Sequence, residues 1–225
     1  MVERAQAVSL DLDGVVFGGR IPIQTAVFTP WKYNRPFVPE HKQVTLADRV
    51  VMSDTLSPIE WLELQLHARR SVKPEFAAIV ERMQADAIFG NTGRPNHEQM
   101  VKLTREKLQE AGIAGYFRDI YFKPDGVRSE ESKYWALTEL VERGFDVVHY
   151  DDNARTVKLL AGALPHVRFV IVGDLSSGLL FSRREMESYP NVARIAVHNS
   201  GRVDAVHLPT SFGLLPHEQG QFIAA

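Results

Sequence analysis

The chain has 225 residues, 44% hydrophobic and 24% charged, with a formal charge of −2 at pH 7 and no cysteine. That balance belongs to a folded α/β-sized domain rather than a disordered chain, and the missing thiols exclude disulfide scaffolds, thiolate metal sites and cysteine nucleophiles. No apolar run reaches the roughly 18 residues of a membrane span, and the N-terminus lacks the layout of a signal peptide, so the expectation is a cytoplasmic protein with no membrane partner.

Val8, Leu10 and Leu12 alternate with Ser9, Asp11 and Asp13, the period-two pattern of a short strand that Gly14 ends. Residues 17–54 break up around Pro22, Pro30, Pro36 and Pro39 and read as a small flap or cap insertion. Ser57-Pro58-Ile59-Glu60 has the form of a capping box with proline at the first helical position. It opens a helix carrying Trp61 that runs to about Arg70. A second helix follows Pro74 and aligns Phe76, Ile79, Val80 and Met83 on one face; both helices are expected to pack on the core.

Ala87-Ile88-Phe89 is a second strand, ending in Gly90-Asn91-Thr92-Gly93, and Pro95 is expected to start the next helix, which Gly112 ends. A third strand at residues 120–122, a helix capped by Ser129 with Trp135 on its core face, and a fourth strand at residues 146–150 ending in Asp151-Asp152 come next. A helix over residues 156–163 and a fifth strand over 167–172 complete the alternation, which specifies βαβ units and a mostly parallel sheet. Residues 194–198 and 203–207, joined through Asn199-Ser200-Gly201, form a C-terminal hairpin within an extension over 175–225 of an otherwise single domain.

Ligands of parallel α/β sheets bind at the carboxyl ends of the strands. Those ends carry Asp11, Asp13, Thr92, Asp151 and Asp152, and Lys133 lies in the first turn of the helix before the fourth strand. Carboxylates gathered on one small surface repel one another unless a hard cation joins them, and Mg²⁺ favours such oxygen ligands. Asp11, Asp13, Asp151 and Asp152 are therefore the metal candidates. A free oxygen of Asp11 is a candidate nucleophile toward phosphorus. Asp13 is placed to protonate a leaving alkoxide and then to activate water. Thr92 and Lys133 would hold the remaining phosphoryl oxygens.

Asp11-Leu12-Asp13-Gly14, Thr92, Lys133 and Asp151-Asp152, in that order, resemble the four motifs of the haloacid dehalogenase superfamily. The resemblance spans about residues 8–174. It implies a Rossmann-like three-layer sandwich, an aspartyl-phosphate intermediate on Asp11 and Mg²⁺ as cofactor. Asp13 turns the expectation toward a phosphatase, because dehalogenating members lack that second aspartate. Lys123-Pro124-Asp125 offers an alternative setting for the third motif, with Lys133 preferred because its helix leads straight into the fourth strand.

The substrate expected is a phosphomonoester, on a nucleotide or a nucleic-acid end. Trp31-Lys32-Tyr33-Asn34-Arg35-Pro36-Phe37 interleaves bases and aromatics as single-strand binding surfaces do, which makes Lys32 and Arg35 substrate candidates. Asn91-Thr92-Gly93-Arg94, Arg128 and Asp151-Asp152-Asn153 are similar to the 3′-phosphatase domain of polynucleotide kinase-phosphatases, which adds Gly93, Arg94 and Arg128. Arg94 has the competing role of pairing at a helix start. A small-metabolite phosphatase with the insertion as lid, and a silent binding module on the same scaffold, are the alternatives.

Overall fold

The computed structural model describes residues 4–18, 58–124, 127–173, 183–200 and 202–212. Among them a seven-stranded sheet carries the fold. Its strands are β1 (Gln6–Leu10), β2 (Ala87–Pro95), β3 (Phe117–Lys123), β4 (Asp146–Asp151), β5 (Arg168–Val172), β6 (Val192–Val197) and β7 (Val203–His207), in the order β3-β2-β1-β4-β5-β6-β7. All neighbours are parallel except β7, which returns antiparallel to β6 as the expected hairpin.

The helices are α1 (Pro58–Ala68), α2 (Pro74–Arg82), α3 (Glu98–Glu110), α4 (Ser129–Glu142), α5 (Ala154–Ala163) and the short α6 (Arg183–Met186). Alternation along β1 sends Val8 and Leu10 to one face, where they pack with Phe76, Ile79 and Val80 of α2 and Leu108 of α3. Ala7 faces the other way, with Leu137 and Leu140 of α4 and Val157 and Leu160 of α5. The result is helix, sheet, helix: the Rossmann-like three-layer sandwich. The chain leaves β1 for β2 on one side and later enters β4 on the other, so the switch point of the sheet lies between β1 and β4.

Four expectations change. Phe17, placed in the insertion by its sequence neighbourhood, is fully buried in the core. Here Gly18 N–H donates to Ser71 O at 3.0 Å and Lys73 N–H to Val16 O at 2.9 Å, so the long excursion after β1 leaves and rejoins the core at one place. Trp61 is 54% exposed and Leu62 42%, so α1 is not a core helix. Its apolar residues 61, 62, 64 and 66 do not align on one 3.6-residue stripe.

Pro95 ends β2 rather than starting α3, whose cap is His97. β2 has parted from β1 after Gly90, and Pro95 pairs only with Lys123 on the β3 side, so its missing N–H leaves no gap in the ladder. The cap position of α4 is Arg128, one residue before Ser129, with its N–H donated to Glu131 Oε2 at 3.2 Å. No helix among the described residues is long and apolar enough to cross a membrane. Ser57 and nearly all of the 17–54 insertion, Lys32 and Arg35 included, lie outside the described residues, as do Asp125 and most of the 175–225 extension beyond the hairpin.

Candidate active site

The ends of β1 and β4 deliver the first two carboxylates. Asp11 follows β1 directly, and its N–H donates to Tyr150 O at 2.8 Å, which continues the β1–β4 ladder and fixes its position. Asp151 closes β4, fully buried, and its Oδ1 accepts the Asn153 N–H at 2.8 Å. Asp152 follows. Carboxylate oxygens of Asp11, Asp151 and Asp152 lie within 4.8 Å of one another.

α4 places Lys133, one turn in from Ser129, 3.2 Å from Asp11 Oδ1 and 2.7 Å from Asp151 Oδ2. Lys123 stands instead at the last residue of β3, so Lys133 is the lysine that joins the cluster. Beneath it, His149 Nε2 is 3.3 Å from Asp151 Oδ2 and His149 Nδ1 is 3.0 Å from Ser9 Oγ. His149 lies two residues before Asp151 on the same strand face, a signal the sequence carried. Burial pushes its pKa down, favouring the neutral ring.

Burial raises Asp11 well above the usual carboxylate range; Lys133 opposes that shift, and the carboxylates of Asp151, Asp152 and Asp13 reinforce it. Lys133 goes the other way. Burial disfavours its charge, but Asp11 and Asp151 outweigh burial and hold the ammonium above its ordinary value. Asp151 lies below its ordinary value, because Lys133 and His149 outweigh its burial. Lys133 ion-pairs with Asp11 and Asp151 of the three carboxylates. The donor set is oxygen only, which fits a hard divalent cation such as Mg²⁺.

Asp13 stands outside this group. Arg94 grips it with two donors, Nε to Oδ2 at 2.9 Å and Nη2 to Oδ1 at 2.8 Å. Arg70 Nη1 donates to Oδ1 at 2.5 Å, and His67 Nδ1 lies 3.5 Å from the same oxygen. Burial works against the Asp13 charge, but Arg94, with help from His67, outweighs it and holds the carboxyl well below the usual range. The fully buried Thr92 places Oγ1 3.4 Å from Asp13 Oδ2.

Arg94 does not project from a helix start toward a ligand. Its third nitrogen, Nη1, donates to Thr104 Oγ1 at 2.9 Å, and the guanidinium lies 4.1 Å over the Phe17 ring. Of the other substrate candidates, Gly93 packs on the start of α4, where a Cβ would come 2.6 Å from Ser129 Oγ. Arg128 Nε lies 3.7 Å from Glu130. His67 and Arg70 escaped the sequence reading because Asp13 is far away in the chain, and Thr104, ten positions from Arg94, because no local pattern marks it.

Gly14 has φ +88°, and a Cβ there would overlap the Asp152 carboxylate. Gly14→Ala is therefore expected to displace Asp152 and to lower stability by about 1–3 kcal/mol. Calorimetric titration with Mg²⁺ and thermal unfolding check this; unchanged Mg²⁺ affinity and melting temperature would refute it.

No family model and no curated protein matches the chain. Among solved structures, it is similar to a haloacid dehalogenase-like family hydrolase from Streptococcus pneumoniae, with a TM-score of 0.49 and 13% identity over 87% of this chain and 95% of that one. It is also similar to a HAD-superfamily hydrolase from Ehrlichia chaffeensis, with a TM-score of 0.41 and 10% identity over 77% of this chain and 90% of that one. By its own four motifs, gathered at the carboxyl ends of the neighbouring strands β2, β1 and β4 and on α4 of a Rossmann-like sheet, the chain resembles the haloacid dehalogenase superfamily.

Proposed function

We propose that the chain is a Mg²⁺-dependent phosphomonoester hydrolase of the haloacid dehalogenase type that works through phosphorylated Asp11. One observation carries this reading: three buried or half-buried carboxylates, from the ends of β1 and β4, converge within 4.8 Å of one another, two of them paired with Lys133. Asp11, Asp151 and Asp152 would hold the metal, which supplies positive charge to offset the phosphoryl oxygens.

The remaining chemistry belongs to the chain. A carboxylate oxygen of Asp11 attacks phosphorus, an O–P bond forms, the ester O–P bond breaks, and the leaving oxygen takes up a proton. Lys133 and the Thr92 hydroxyl face the charge that spreads over the phosphoryl oxygens. Water then attacks phosphorus, losing a proton to a base, and Asp11 is released. Asp13 is placed for that base role, and Arg94 and Arg70, which hold it ionised, make it a weak base. Donating a proton in the first half asks more of it, because the same two guanidinium groups disfavour its protonated form. An aryl phosphate, whose leaving group needs no acid, is thus the substrate of choice for a first assay.

A nucleotide or nucleic-acid-end phosphate remains the substrate proposed, in a cytoplasmic setting. It rests on the local likeness of residues 91–94 and 151–153 and on the basic-aromatic stretch over 31–37. Arg94 no longer supports it, since its three nitrogens are engaged by Asp13 and Thr104. In the test, aryl phosphate hydrolysis falls at least about 100-fold on chelation and returns with Mg²⁺. Hydrolysis indifferent to chelation, or none with Mg²⁺ present, overturns the reading. A panel of sugar phosphates, nucleotides and 5′- or 3′-phosphorylated oligonucleotides then separates nucleic-acid from small-metabolite substrates.

A further inference from the structure

Two guanidinium groups meet on the one carboxylate of Asp13, and they are not equivalent. Arg94 is saturated: two nitrogens clasp Asp13, the third donates to Thr104, and the face lies on Phe17. That clasp already matches the charge and both oxygens of Asp13. Arg70 adds a second positive charge through Nη1 alone, and among the described residues Asp13 is the only side-chain hydrogen-bond partner it has. Its Nε and Nη2 donors are left over, in a side chain only 9% exposed.

The Arg70 guanidinium, paired with Asp13, also lies within electrostatic reach of Asp152 and Asp11. Lys73 adds a further positive charge on the same wall, with its ammonium on Gly14 O. Arg94 and Arg70 share the single negative charge of Asp13, so this pairing leaves Arg70 only partly compensated. A desolvated guanidinium with spare parallel donors is a ready partner for a carboxylate or phosphate.

We propose that Arg70 forms a subsite for a second anionic group, so that the preferred substrates are phosphomonoesters carrying another phosphate or a carboxylate beside the scissile ester. This rests on the hydrolase reading for the position of the scissile phosphate. Arg70 comes from just beyond α1, so recognition and chemistry are divided between the excursion after β1 and the sheet.

The test is binding, measured by calorimetry with Mg²⁺ on Asp11→Asn, which removes the nucleophile. Adenosine 3′,5′-bisphosphate is compared with adenosine 5′-monophosphate, and 3-phosphoglycerate with glycerol 3-phosphate. The expected result is affinity about 10- to 100-fold higher for the two-anion member of at least one pair, the size of one charge-assisted contact. The pair that responds tells whether phosphate or carboxylate is read.

Adding Arg70→Gln should reduce that preference to threefold or less, and Arg70→Lys, which keeps charge without the fork, should leave an intermediate preference. Equal affinities within both pairs, or a preference that survives Arg70→Gln in a folded protein, overturns the proposal. If Arg70→Gln does not fold, the Arg70→Lys variant decides, and an undiminished preference there overturns it too. Because the measurement needs no turnover, a chain that hydrolyses nothing in the chelation assay fails the hydrolase reading while leaving this comparison readable.

Discussion

Asp11→Asn is expected to lower aryl phosphate hydrolysis by about 10⁴-fold or more, the scale seen when a covalent nucleophile is removed. The amide keeps the shape of the side chain but offers no oxygen anion to phosphorus. The fold should not suffer. Burial and the neighbouring carboxylates already raise the Asp11 pKa, so its charge is a burden on the metal-free protein. Removing that charge relieves repulsion with Asp151 and Asp152, and the melting temperature without Mg²⁺ should hold or rise by a few degrees, since about 1 kcal/mol corresponds to roughly 2–4 °C at this size. The stabilisation gained on adding Mg²⁺ should shrink, because one ligand has lost its charge. Activity within tenfold of wild type would end the claim that Asp11 attacks phosphorus. A collapse of the melting temperature would instead show that Asp11 is needed for structure.

Lys133→Met should damage both stability and turnover. The methionine fills a similar volume but withdraws the ammonium that lies 3.2 Å from Asp11 and 2.7 Å from Asp151. Breaking a buried ion pair by removing one partner costs about 3–5 kcal/mol, which at this chain length is a fall of roughly 10 °C in melting temperature. Mg²⁺ should restore a good part of it, since the cation supplies positive charge to the same carboxylates. Hydrolysis should drop by about 10²–10³-fold, the loss expected for one preorganised group that faces developing charge.

The pH dependence has a definite sign. A lysine whose folded pKa is raised contributes its stability below the ordinary lysine range and loses it only as pH climbs through the folded value. The wild-type advantage over Lys133→Met should therefore not fade as pH rises across neutral values. Thermal unfolding at pH 6 to 9 checks this, and an advantage that fades between those limits would contradict the ion-pair account.

The parts of this site that were legible in the sequence are those set by short-range rules. Asp11 and Asp151 stand at strand ends because a period-two apolar run stops there, and Lys133 sits one turn into a helix whose start is marked locally. Likewise, residues 199–201 made the final hairpin readable. What escaped depends on partners distant in the chain. Arg94 resembled a helix-start arginine, yet its carboxylate partner lies 81 positions away, at Asp13. Arg70 reaches the same carboxylate across 57 positions, from a helix whose apolar residues gave no hint of its neighbours. Trp61 was misjudged for a related reason: an aromatic on a short helix says little about burial until the rest of the surface is known.

The doorway formed by Gly18 with Ser71 and Val16 with Lys73 separates two kinds of change. Because departure and return are adjacent, the intervening polypeptide can grow or contract at a closure cost that rises only as the logarithm of its length. The strands holding Asp11 and Asp151 do not register such a change. His67 and Arg70, which reach Asp13, belong to that segment, so a change of its length bears on Asp13 while Asp11 and Asp151 keep their strand positions.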